Sequence, residues 1–221
     1  MTKLDRENFD ANSQVVKDGS DAVASLRGYV NSDLDGSSIV FSAGMNPRLF
    51  NYMEQCSQFE MREDGSFSKK VVLKVSDFRS AFIQGKYLAK KGIWVSEFRI
   101  ESGLNCGGHA FATEGYLLGP ILEEFKSRKQ ELIDSLFELY NKALEQKSKR
   151  KFLYPPQLII TVQGGIGTHQ EDDFLHSHYN IESTGWGTPF LLVPEATTVD
   201  DETLNLLCAA KEKDVVLSRN S

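Results

Sequence analysis

Gly107-Gly108-His109 is the run of this 221-residue chain whose residue types best suit proton transfer. Paired glycines let backbone approach a flat or charged ligand, because no Cβ stands in the way. An imidazole directly after them can take or give a proton near neutral pH. The run closes the segment Glu101-Ser102-Gly103-Leu104-Asn105-Cys106-Gly107-Gly108-His109, which follows the apolar stretch Ile93–Ile100. In α/β folds ligands sit at the carboxyl ends of strands, which is where this segment begins. The same residues also fit a plain glycine turn whose histidine caps or packs.

Two later segments carry a related signal. Gln163-Gly164-Gly165-Ile166-Gly167-Thr168 lies between the apolar run Leu158–Val162 and a helical stretch. Strand, glycine turn and helix N-terminus is a phosphate-binding order, because open N–H groups and the positive end of the dipole converge there. Thr168 is expected to cap that helix, with Glu171, Asp172 and Asp173 in its first turn. A tight βα turn with no ligand is the alternative. Thr184-Gly185-Trp186-Gly187-Thr188-Pro189-Phe190 follows about twenty residues later, at the end of a short strand expected over Ser183–Gly187. Two successive loops of this kind make the common phosphate site of β/α barrels. Trp186 is expected in the core.

The elements that must hold these segments alternate. Strands are expected at Ser38–Gly44, Lys70–Val75, Ile93–Ile100 and Gln157–Val162, before the short Ser183–Gly187. Helices are expected over Ser20–Val30, Arg48–Gln58, Phe78–Lys91, 120–149, Glu171–His178 and Asp200–Ala210. Asp77 or Ser76 should cap the third of these, and Gly92 should end it at C′. Strands alternating with helices imply a parallel sheet, hence an α/β protein.

Composition narrows the partners. The net charge of −6 disfavours nucleic acid, which requires clustered Lys and Arg. No run approaches the ~20 apolar residues of a membrane span, and residues 1–20 lack the apolar core of a signal peptide. Cys56, Cys106 and Cys208 form no CxxC or Cys/His pattern, so a reduced, cytoplasmic protein is expected. His169, His176 and His178 read as surface residues rather than metal ligands. Glu97 and Arg99 alternate along a strand and are expected to pair.

The three glycine segments, in this order, resemble those of the nitronate monooxygenase family of FMN-binding β/α barrels. Gly107-Gly108-His109 is similar to the last three positions of that family's Ala-Gly-Gly-His turn, with Cys106 where Ala is usual. Gly164-Gly165-Ile166 resembles its Gly-Gly-Ile turn, and Gly187-Thr188-Pro189-Phe190 its closing Gly-Thr-x-Phe segment, with Trp186 replacing Met. The resemblance covers about residues 38–196 and corresponds to barrel strands four to eight. It implies a polar N-terminal segment over 1–37 and a partial FMN-binding β/α barrel of TIM type over 38–221. It also implies an FMN-dependent oxidoreductase in which His109 is the catalytic general base. Gly107 and Gly108 would line the flavin, and Gly164, Gly165, Gly187 and Thr188 would hold the FMN phosphate. The partners that follow are a small-molecule substrate and either a homo-oligomer or a second chain completing the barrel. Two alternatives stand beside this reading: a non-catalytic fragment or subunit of a flavin barrel, and a barrel for another phosphorylated ligand.

Overall fold

The computed structural model describes residues 5–42, 44–101, 118–164, 166–186 and 199–214. The chain is an α/β protein. Helix α1 spans Asp21–Val30, β1 Ser37–Phe41, α2 Pro47–Met53, β2 Lys69–Val75 and α3 Phe78–Ala89. Then come β3 at Glu97–Glu101, α4 at Leu118–Gln146, β4 at Ile159–Gln163, α5 at His169–Tyr179, β5 at Ser183–Gly185 and α6 at Asp201–Ala209. The five strands form one all-parallel sheet in the order β1-β2-β3-β4-β5, flanked by helices. Ser37 to Phe41 face Lys69 to Leu73 in register, and Thr161, Val162 and Gln163 face Ser183, Thr184 and Gly185.

Two compact units divide the chain: Met1–Arg99 with Ser127–Ile159, and Ile100–Lys126 with Ile160–Ser221. The first holds a dense core. Val71, Val72, Leu73 and Val75 of β2 are all buried. A near-continuous apolar run of this kind suits a parallel strand covered on both faces. Asp77 caps α3 by accepting from the Ser80 N–H at 2.7 Å. Burial pushes the Asp77 carboxyl up, but the Ser80 N–H, the Ser76 and Ser80 hydroxyls and nearby Arg79 outweigh it and hold it low. Phe78, Ala81, Gly85 and Leu88 recur at helical spacing on the buried face of α3. A Cβ at Gly85 would stand 2.9 Å from the tip of the Phe98 ring and 3.0 Å from a Leu136 methyl, so a larger residue there would force those side chains to shift.

Trp94 anchors the approach to β3. It is 2% exposed, its Nε1–H donates to the Gln157 carbonyl at 3.1 Å, and its ring lies edge-on to Tyr140 at 5.6 Å. Burial pushes the Tyr140 phenol up to about 12. At the start of β2, Lys69 is 1% exposed. Its ammonium donates to the Ser32 carbonyl (3.2 Å), the Ser32 hydroxyl (3.1 Å) and the Leu34 carbonyl, and lies 4.8 Å from the Tyr29 ring centre. A buried charge is tolerated only with such acceptors around it.

Several boundaries differ from the sequence reading. Helix α2 ends at Met53, and a 3₁₀ turn covers Ser57–Phe59. Ile93, Trp94 and Val95 are buried but precede β3, which begins at Glu97. Hydrophobic periodicity registers their burial and cannot see which of them joins the ladder. Gly92 has φ +70° but lies two residues past the α3 C-cap, Lys90, one position later than expected. Asp64-Gly65 makes a turn, with Gly65 at φ +84°.

Candidate functional site at the carboxyl ends of β3, β4 and β5

The second unit is built around the ends of its strands. The Glu182 N–H donates to the Ile160 carbonyl at 3.1 Å, and the Glu182 carboxylate accepts from the Ile160 N–H at 2.9 Å. This double link sets β5 beside β4. At the opposite, carboxyl end, the last residues of adjacent strands are polar. The Gln163 side-chain amide, ending β4, donates to the Glu101 carboxylate, ending β3, at 2.6 Å. Both side chains are half-buried. A carboxylate–amide hydrogen bond in a partly dry place fixes both groups.

Gly185, which ends β5, makes room for that amide: a Cβ there would stand 2.8 Å from the Gln163 Cβ. Trp186 comes next and is half-buried, not a core residue as expected. Its indole N–H needs a partner, and finds the Thr184 hydroxyl at 3.3 Å. That hydroxyl in turn donates to Asp172 on α5 at 2.6 Å. The strand end and the first turn of α5 are thereby tied together.

Gly164 has φ +83°, which explains a glycine there, and its N–H donates to the Gly185 carbonyl at 3.1 Å. The turn that follows leads into α5 through a capping box. The Thr168 hydroxyl accepts from the Glu171 N–H, and the Glu171 carboxylate accepts from the N–H groups of Gly167 and Thr168, both at 2.9 Å. Those two N–H groups, with the Thr168 hydroxyl, hold the Glu171 carboxyl below the usual carboxylate range. The helix cap predicted at Thr168 is therefore present. Around it, the N–H groups of Gly164, Gly167 and Thr168 are engaged within the chain, the last two by the Glu171 carboxylate.

Of the catalytic and cofactor-binding residues singled out from the sequence, only Gly164 lies among the described residues. Gly107, Gly108 and His109, and likewise Gly165, Gly187 and Thr188, lie outside them, as does Cys106. The segments that contain these residues begin at or directly after the ends of β3, β4 and β5. Glu97 and Arg99 pair as expected, with 2.9 Å from the Arg99 Nε to the Glu97 carboxylate. His176 is held by the Ile181 carbonyl at 2.7 Å, and the His178 ring stacks on Phe174 at 4.9 Å. Among the described residues no cluster of His, Cys, Asp and Glu could hold a metal ion. Cys56 and Cys208 are free thiols, and burial pushes Cys56 up. No helix among the described residues is long and apolar enough to cross a membrane.

Sequence reading missed the Gln163–Glu101 hydrogen bond. Its signal is a polar residue at the last position of an otherwise apolar strand, beside a glycine pair.

The described residues thus define an α/β protein in which the adjacent parallel strands β3 and β4 end in hydrogen-bonded polar groups. Comparison with protein-family models, with curated proteins and with solved structures found no match.

Proposed function

We propose that this chain is an FMN-dependent oxidoreductase of the nitronate monooxygenase type, built on part of a β/α barrel. The strand order carries the proposal. It runs β1-β2-β3-β4-β5 without reversal, as in a barrel, whereas a doubly wound sheet reverses at its ligand crevice. In that order the three glycine segments follow three neighbouring strands at their carboxyl ends, where barrel enzymes bind ligand.

His109 is the general base that removes a proton from the substrate carbon next to the nitro or nitronate group. Gly107 and Gly108 line the flavin, and the turns at Gly164-Gly165 and Gly187-Thr188 hold its phosphate. FMN supplies the redox chemistry when bound. Gly164 fits a role of close approach, since it carries no side chain and adopts φ +83°. The N-terminus of α5 takes no part, because Glu171 fills it.

The sheet also favours a second reading, a subunit that works with a partner chain. Among the described residues, strands β1 and β5 stand at the two ends of the order, each with one neighbour. Such edges invite further strands.

The test is a visible absorption spectrum after incubation with excess FMN and desalting. Retained flavin bands are expected. His109→Ala should keep the bands and lower turnover by roughly 10²–10⁴-fold. A colourless protein, with all FMN in the small-molecule fraction, overturns the proposal for this chain alone.

A further inference from the structure

The bond between Gln163 and Glu101 fixes the direction of an amide. A carboxylate can only accept, so the Gln163 nitrogen must face Glu101, and the amide oxygen is left directed away from it. That oxygen accepts no hydrogen bond among the described residues, and the nitrogen keeps a second N–H. The sheet register says which way the pair looks. Gln163 faces Gly185 across the ladder, so the two share one face. Thr184, one residue earlier, points to the other face, where its hydroxyl meets Asp172 of α5. Gln163 and Glu101 therefore lie on the face away from α5, which in a β/α barrel is the interior. Gly185 puts no side chain over the amide: a Cβ there would stand 2.8 Å from the Gln163 Cβ.

We propose that Glu101 and Gln163 bind neighbouring hydroxyls of a ligand, and that these are the hydroxyls of the FMN ribityl chain; the second part rests on the flavin reading above. The chemistry of the pair selects hydroxyls. Each hydroxyl gives one hydrogen bond and can accept others. Two adjacent ones can give to the Glu101 carboxylate and the Gln163 oxygen while accepting from the second amide N–H. A phosphate brings only acceptors and would be repelled by the carboxylate. The imide edge of the flavin ring presents two carbonyls, which would meet the same two acceptors. The place of the pair selects the ribityl chain. Strand β3 leads to Gly107-Gly108, assigned to the ring, and β4 leads to Gly164-Gly165, assigned to the phosphate. The bond that joins the ends of these two strands lies between the two assignments, as the ribityl chain lies between ring and phosphate. Both side chains are half-buried, so their bonds to a ligand compete with only part of the usual hydration.

Equilibrium dialysis against FMN, and against an analogue with a phosphorylated pentyl chain in place of the ribityl phosphate, tests this. The analogue keeps ring and phosphate and lacks the chain hydroxyls. Wild-type protein should hold FMN about tenfold more tightly than the analogue, because a site built for hydroxyls rejects a ligand without them. Gln163→Met and Glu101→Leu should each lose about tenfold in FMN affinity and leave that for the analogue unchanged. A pair that only braces the strands would weaken both ligands alike, and that result overturns the proposal. Equal wild-type retention of FMN and the analogue also overturns it, while leaving the flavin reading in place. Retention of neither ligand overturns the flavin reading, and the ribityl assignment with it. If the variants fold poorly, the wild-type comparison decides alone.

Discussion

Strands β2 and β5 belong to one sheet and are made in opposite ways. In β2, Lys69, Val71, Val72, Leu73 and Val75 are buried; β5 is three residues long and none of them is buried. β2 is held by apolar burial on both faces, at roughly 25 cal/mol per Å² removed from water. β5 is held by polar links: Glu182 to Ile160, Thr184 to Asp172, and Gly185 to Gly164. β2 is the strand with the core, and β5 depends on hydrogen bonds.

This contrast breaks most visibly in the first unit. Trp94→Ala removes the largest of its fully buried side chains and leaves the Gln157 carbonyl without its donor. A loss of about 3–5 kcal/mol is expected in urea unfolding, near the whole stability of a small domain. A loss below ~1 kcal/mol would mean that the Trp94 cluster is not the core of this unit.

Lys69→Met is next in size. It keeps the stem's packing but deserts the Ser32 and Leu34 carbonyls. We expect about 1–3 kcal/mol, the cost of leaving buried acceptors unpaired. A neutral or stabilising result would show that water reaches these carbonyls.

The smallest effect lies in the second unit. Glu171→Gln weakens the capping box of α5. The folded-state pKa of Glu171 is lowered by its backbone donors, so the carboxylate's contribution is present above the unfolded pKa. It is lost as pH falls through the lower, folded value. Thermal unfolding should show the variant less stable than wild type at neutral pH, and the gap should close in acid. A gap that is constant with pH would mean that charge plays no part in the cap.

Most of the framework was legible in the sequence because burial leaves a periodic trace. The apolar run of β2 and the long helix expected over 120–149 show it, and Asp77 and Thr168 were legible as helix caps. Strand order is a long-range property, and no local pattern encodes it. The site was legible only as glycine turns. The Gln163–Glu101 bond joins residues 62 positions apart, and nothing in either neighbourhood names the other. Glu171 was legible as an acid in the first turn of a helix; its carboxylate also accepts from the Gly167 and Thr168 N–H groups.

Equilibrium dialysis of the wild-type protein against FMN and against riboflavin tests the central claim most directly. The two ligands share the ring and differ in the phosphate assigned to the turns at Gly164-Gly165 and Gly187-Thr188. FMN should be retained at least tenfold more tightly than riboflavin, about 1.4 kcal/mol. Equal retention of both would contradict the phosphate turns, and retention of neither would contradict the flavin reading of this chain.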